Sequence, residues 1–389
     1  MDHILTCHDR VKSDFVRGDK AYLYDSRGRR YVDFEAGIWC TALGHNHPRL
    51  NRVIRKQLDR IVHLNNRFTG TIAEEAAVAL LNTANLPDGK CVFLSSGSEA
   101  VEFGLQWSGR LTGKPFFLTL TDAYLAAYGL AGSRRTDQWI TVDWKDCITC
   151  PHPWECRACP RLKSLPVKKI GAFVLESGSS SGSVKFPPNP LVERLAAVIQ
   201  QHGGLLVVDE VTTGIGRTGK WFGFDHYDVR PDIIAVGKGI GNGYPVSAVI
   251  LTREVANRIE QTGIRYAQSH QNDPLGCTIA REVITIIREE ALVERSRNLG
   301  KRFLDRLRLM GAQVEDIKEI RGRGLMIGME LKKGDGRLTA SDIIHRLMDH
   351  GDLAGYQPHT NTIRFLPALT IEEKDMTSLV ENLARILAR

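Results

Sequence analysis

No apolar run in the 389 residues approaches the length needed to cross a bilayer. The first ten residues, MDHILTCHDR, contain no apolar core of a secretory signal. The expectation is a cytoplasmic protein with no membrane partner. Lys and Arg outnumber Asp and Glu, for a net charge of +7. No block of Lys and Arg carries interleaved aromatics, so this excess does not read as a nucleic-acid surface. It suits a small anionic cofactor and carboxylate substrates. No internal repeat or low-complexity segment is present. Hydrophobic and charged fractions of 42% and 25% are ordinary for a globular chain, and the length suffices for a large core.

Two nucleotide-binding motifs are incomplete. Gly214–Lys220 (GIGRTGK) has phosphate-loop spacing, but Trp221 stands where a Ser or Thr would hold magnesium. Gly237–Gly243 (GKGIGNG) follows a strand-like run, yet no register gives G-x-G-x-x-G, because the sixth position falls on Asn242 or Tyr244. His45 and His47 are two positions apart, but turn-forming Asn46 and Pro48 beside them read as a loop entering a helix.

What is present centres on Gly203–Val249. Leu205–Val208 ends at Asp209, and Ile233–Val236 ends at Gly237-Lys238-Gly239. Short continuous apolar runs bounded by Gly and Pro predict buried parallel strands. Each delivers one ionisable side chain to the carboxyl edge of the sheet, where open α/β sheets bind ligands. A lysine there can form a Schiff base with an aldehyde, and a buried carboxylate can keep a pyridine nitrogen protonated. Such a pair suits pyridoxal phosphate. Asp209 as a strand-end cap and Lys238 as a solvated lysine is the plainer reading.

Cys91–Leu94 predicts another strand, followed by Ser95-Ser96-Gly97-Ser98-Glu99-Ala100 and a helix. A small-residue turn at a helix N-terminus directs unsatisfied N–H groups and the positive dipole end toward an anion. Four of the eight cysteines fall in one run, Cys147, Cys150, Cys156 and Cys159, with spacing C-x2-C-x5-C-x2-C. That spacing fits a structural zinc site. It equally fits a cysteine-rich surface excursion over residues 143–168. Leu275–Arg308 has helical periodicity throughout and predicts one long helix.

DEVTTGIGRTG followed by VGKGIGNGYPVSAV resembles the core signature of the class III aminotransferases, fold-type-I pyridoxal-phosphate enzymes. GDKAYLYDSRGRRYVDFEAGI and LGHNHPRL continue the likeness toward the N-terminus. The resemblance implies an α/β fold, with a large domain of mostly parallel seven-stranded sheet (45–285) and a small α+β domain made from both chain ends (1–44 and 286–389). It also implies a homodimer with shared sites. Lys238 would form the aldimine and Asp209 would pair with the pyridine nitrogen. Gly97 and Ser98 would hold the phosphate, Tyr124 would stack on the ring, and Val211 would pack on its face. Ser269 would reach the phosphate of the neighbouring subunit, and Asn65–Phe68 would reach the partner's site. Arg364, in the family's R-F-x-P position, would grip the substrate carboxylate, with Trp39 also contacting substrate.

The chain departs from the family pattern at three places. Leu125 and Ala126 replace the usual His-Gly, Ala127 stands where acetylornithine enzymes commonly carry Arg, and Ser181 replaces a gating Glu. The implied activity is transfer of an amino group from an amino acid or amine to a 2-oxo acid. Aminomutase, racemase or decarboxylating transaminase chemistry on the same scaffold is the alternative, and a non-catalytic metal-binding relative is a third.

Overall fold

The computed structural model describes residues 3–5, 7, 13–68, 70–133, 137–150, 156, 159–179, 181–334 and 337–388. Near the start of the chain, Phe15–Asp19 (β1), Tyr22–Asp25 (β2) and Arg30–Asp33 (β3) form an antiparallel meander. The β2–β3 turn closes because the Asp25 carboxylate accepts the Arg27 and Arg29 N–H groups, at 3.0 and 2.9 Å.

The next strands are Lys90–Leu94 (β4), Phe116–Leu120 (β5), Trp139–Val142 (β6), Ile170–Glu176 (β7), Leu205–Asp209 (β8), Ile233–Val236 (β9) and Ser247–Leu251 (β10). They make one seven-stranded sheet in the order β4-β10-β9-β8-β7-β5-β6. β10 runs antiparallel to both neighbours, and the remaining pairs are parallel. This is the α/β architecture expected from the apolar runs.

Every residue of β7, β8, β9 and β10 is buried. Successive side chains serve opposite cores: Leu206 and Val208 join one cluster, Leu205 and Val207 the other. Each fully buried Val or Leu contributes about 1.5–3 kcal/mol relative to exposure. That two-sided burial is why these strands read as unbroken apolar runs rather than alternating ones. Helix Gly97–Thr112 packs on one face and helix Asn189–Gln201 on the other. Parallel pairing brings Glu176, Asp209 and Ala235 to the same sheet edge.

Beyond the central sheet lie Ile317–Arg323 (β11), Met326–Leu331 (β12), Asp352–Leu353 (β13), Gly355–Gln357 (β14) and Thr362–Phe365 (β15). β11-β12-β15-β14 form a four-stranded sheet, and β13 joins β3 in parallel, linking the two chain ends in one sheet.

The single long helix expected over Leu275–Arg308 is two helices, Pro274–Glu289 and Leu292–Gly311. Ala291 between them is left-handed at φ +49°. The turn lets Leu299, Phe303 and Leu307 enter the core beside helix Glu373–Leu387. No Gly or Pro marks the break, and tertiary packing overrides a helical pattern that is locally continuous.

Candidate active site

Lys238 follows β9 by two residues and adopts φ +44°, a left-handed conformation that costs a side-chain-bearing residue about 1–3 kcal/mol. The surrounding structure enforces it. Asn242, also left-handed, accepts the Leu43 N–H at 2.7 Å and donates to the Gly44 carbonyl at 3.0 Å. The turn carrying Lys238 is thus tied to the segment after Trp39. The Lys238 Nζ donates to Thr212 Oγ1 at 2.9 Å and lies 5.1 Å from the centre of the Trp39 ring.

Asp209 is 4% exposed at the end of β8. Burial pushes its carboxyl above the usual carboxylate range, and the Val211 N–H, at 3.0 Å, and the charge of Lys238 pull it back. A buried acid in that condition gains most from a cation brought to it.

Ser96 caps helix Gly97–Thr112, its Oγ accepting the Glu99 N–H at 3.2 Å. Ser98 Oγ accepts the Ala127 N–H at 2.9 Å, which holds the loop after β5 against the helix start. The same loop is held by the Glu176 carboxylate, which accepts the Tyr124 N–H at 3.0 Å. Tyr124 itself is 48% exposed. Gly97 is required by close approach: a Cβ there would stand 2.5 Å from Val211 Cγ1. The helix N-terminus, Val211 and Lys238 therefore converge on one space. That space is a cavity of about 630 Å³, within the size range of small-molecule sites. Gly97, Ser98, Tyr124, Asp209, Val211, Lys238, Trp39 and Arg364 all line it, as do Ser96 and Thr212.

One contact in this cavity was not legible in the sequence. Arg364 Nη2 donates to Glu35 Oε1 at 2.6 Å, and both side chains are largely buried. Burial raises the Glu35 carboxyl, while Arg364 draws it down. The guanidinium also lies 5.5 Å from the Trp39 ring centre. Arg364 Nε and Trp39 Nε1 are buried without a hydrogen-bond partner, so each has a donor to offer. Ala36, Ile38 and Trp39 all have positive φ. The Asp33 carboxylate supports this turn by accepting the Glu35 and Ala36 N–H groups, at 2.9 and 2.8 Å. Gln357 joins the lining and donates to the Ser181 carbonyl. An acid beside a Trp in EAGIW was the only sequence trace of this arrangement.

Two sets of expected residues lie elsewhere. Ser269 borders a separate cavity of about 370 Å³, with His63, Asn65, Asn66, Ala267 and Gln268. The four clustered cysteines, whose spacing fits either a zinc site or a surface excursion, are not gathered as a ligand set here. Burial, with help from the neighbouring cysteines, raises the Cys147 and Cys156 thiols above the usual range. Yet among the described residues no three of them bring ligand atoms within 4.8 Å of one another. Sequence spacing placed them in one loop, and convergence needs backbone turns that spacing does not specify.

The aminotransferase class-III family pattern matches residues 6–124 and 152–387. The unmatched stretch between them contains Cys147 and Cys150. The chain is 31% identical to the acetylornithine aminotransferase of Archaeoglobus fulgidus, over 97% of this chain and 96% of that protein. It is 28% identical to the leucine/methionine racemase of Thermococcus litoralis, over 96% of this chain and 90% of that one. An amine transaminase from an uncultivated Pseudomonas species, solved in its PLP-bound form, superposes with a TM-score of 0.90 at 25% identity, covering 100% of this chain and 99% of that one. Together with the placement of a lysine, a buried acid and a helix N-terminus around one cavity, these matches establish that the chain belongs to the class-III aminotransferases.

Proposed function

We propose that the cavity around Lys238 is the transamination centre of this pyridoxal-phosphate-dependent aminotransferase, with Lys238 as its essential amine. The carrying observation is that Lys238 Nζ, held by Thr212, shares one cavity with the buried acid Asp209 and the capped helix start at Gly97.

The residues fit the cofactor. Gly97 and Ser98 at the helix N-terminus would hold the phosphate, where N–H groups and the helix dipole favour a dianion. Asp209 would sit against the ring nitrogen, its buried carboxyl gaining a cationic partner. Val211 and Tyr124 would take the two ring faces, and Trp39 has a free donor. When bound, pyridoxal phosphate supplies a carbonyl that condenses with amines and a ring that accepts the electron pair left when a proton departs from the substrate carbon.

Lys238 would supply the amine that holds the cofactor's carbonyl and, once free, the base that takes the proton from the substrate carbon and the acid that gives it back. Thr212 orients the free amine by accepting its hydrogen bond. Arg364 would hold the substrate carboxylate through guanidinium N–H groups that Glu35 leaves free, its Nε among them, while Glu35 fixes Nη2.

The donor we infer is an amino acid or amine without the distal carboxylate of acetylornithine or glutamate. Arg364 is the one guanidinium among the described residues lining the cavity, and Ala127 and Ser181 add no second carboxylate holder. The likeness to a leucine/methionine racemase keeps racemisation as the alternative.

Two copies would share sites. Ser269 lies away from its own Lys238 cavity, and Ile61, Val62 and Phe68 expose 39%, 42% and 67% of their surface nearby in sequence. We further assign residues 1–44 and 286–389 to a small domain and 45–285 to a large one, supported by the β3–β13 pairing of the chain ends. A cytoplasmic location accords with the lack of any described helix long and apolar enough to span a membrane.

The test is a visible absorption spectrum of the cofactor-loaded enzyme. A donor should bleach the band, and pyruvate or 2-oxoglutarate should restore it. Bleaching without dependence on a 2-oxo acid, together with donor epimerisation, would favour the racemase reading. Lys238→Ala should abolish turnover, and retained turnover in that variant would overturn the assignment.

A further inference from the structure

Asp273 occupies the N-cap position of helix Pro274–Glu289, yet its side chain caps nothing there. An aspartate in that position ordinarily accepts an N–H of the first turn. Here the carboxylate turns toward two imidazoles instead. Its Oδ1 lies 2.6 Å from His63 Nδ1, and its Oδ2 lies 2.6 Å from His270 Nδ1. The two rings are 5.1 Å apart between centres. Among the described residues this is the one group of three or more His, Cys, Asp or Glu whose ligand atoms all lie within 4.8 Å of one another. None of the three takes part in the chemistry around Lys238.

We infer that His63, His270 and Asp273 bind a divalent transition-metal ion of the zinc class. Two neutral imidazoles and one carboxylate are a donor set such ions prefer. Metal–nitrogen and metal–oxygen bonds of about 2.0–2.2 Å in tetrahedral geometry put ligand atoms roughly 3.3 Å apart. The 2.6 Å contacts therefore need to open by well under 1 Å, within side-chain rotation of two exposed histidines. Each ring would carry its proton on Nε2 and present Nδ1 to the ion. Asp273 provides the fixed point, being only 12% exposed, against 49% and 63% for the two histidines. The exposed side leaves a fourth position for water, and the cavity bordered by His63 supplies a path in.

The ion would join two irregular segments of the chain. One runs from Ile61 to Phe68 and contains Asn65–Phe68. The other contains Gln268–Asp273, including Ser269. It would thus set the spacing of both segments whose residues were assigned to the partner-facing surface. The metal assignment itself does not depend on that role or on Lys238.

The test is equilibrium dialysis of chelator-stripped, gel-filtered, cofactor-loaded enzyme against zinc chloride, with bound metal measured by mass spectrometry. The parent and Cys150→Ser should each bind one ion per chain. His270→Ala and the near-isosteric Asp273→Asn should bind at least about tenfold more weakly. Both substituted side chains lie at the end of a loop rather than in the core, so the comparison is made on folded protein. No zinc on the parent would overturn the proposal, as would undiminished binding to Asp273→Asn. Metal lost from Cys150→Ser but kept by His270→Ala would assign the ion to the cysteines and overturn it equally.

Discussion

Gly97→Ala tests how the cavity is held together. A methyl at this position would lie 2.5 Å from Val211 Cγ1 and 2.8 Å from Val211 Cγ2. Carbon atoms in favourable contact sit about 3.5–4.0 Å apart, so the deficit is roughly 1 Å. Neither side yields easily. Gly97 is the first residue of a helix whose buried face includes Val101, Phe103 and Leu105. The Val211 backbone N–H is engaged by Asp209. Overpacking of this kind costs about 1–3 kcal/mol. At about 2.1 cal/mol/K of unfolding entropy per residue, a chain of 389 residues loses only about 1–4 °C in Tm. The larger effect falls on the site, because the same 1 Å separates the helix N-terminus from Val211 and Asp209. Pyridoxal phosphate affinity, measured by fluorescence titration of stripped enzyme, should fall about tenfold or more. The decisive variant is Gly97→Ala with Val211→Ala. Removing the two Cγ methyls removes the collision, so the double variant should regain most of the lost affinity relative to Val211→Ala alone, a coupling of at least about 1 kcal/mol. A neutral Gly97→Ala, or a double variant no better than the sum of the singles, would refute the reasoning.

Glu35→Gln removes the negative charge facing Arg364 while keeping a hydrogen-bonding group of the same shape. KM for donors bearing a carboxylate should fall several-fold with little change in kcat, whereas Arg364→Ala should raise KM about 10–100-fold, the worth of a charged hydrogen bond. Steady-state kinetics on both variants check the pair, and an unchanged KM in Arg364→Ala would remove it from substrate binding. His226 predicts a pH effect on stability. Burial, with help from Arg323 and Lys220, holds its pKa down to about 4, against 6.5 for a free histidine. Between those values the unfolded chain binds the proton and the folded chain does not, so stability is present above pH 6.5 and is lost as pH falls toward 4. Allowing for its partial exposure, the loss attributable to this group is about 1–2 kcal/mol. His226→Asn should flatten the acid limb of a Tm-against-pH profile by that amount, and an unchanged limb would assign the acid sensitivity elsewhere.

What the sequence made legible was what the backbone decides locally. β8 and β9 were readable because two-sided burial demands unbroken apolar runs, and Asp209 and Lys238 were readable because they end those runs. The turn proposed to hold the phosphate was readable because Ser96 and Gly97 must begin a helix in a particular way. The helix break at Ala291 was not, because a left-handed alanine there is imposed by packing. The cysteines and histidines mark the same boundary from opposite sides. The four cysteines have metal-like spacing in sequence, yet among the described residues no three of them bring their sulfurs within 4.8 Å of one another, and His45 and His47, two positions apart, turn to different carboxylates, Asp33 and Glu290. His63 and Asp273 have no motif at all, being 210 positions apart, and they meet at 2.6 Å. Glu35 and Arg364, 329 positions apart, meet at the same distance. A pair at such separation imposes no periodicity and no turn chemistry on either partner. Its partners are chosen by the strands that deliver them, here β3 on one side and β15 on the other. The strained turn after β3 is therefore the element on which the proposed specificity would depend: it carries Glu35 and Trp39 together to Arg364 and Lys238. Its cost, a run of positive φ values at Ala36, Ile38 and Trp39, is offset by Asp33 and by the burial of Trp39, which is 3% exposed.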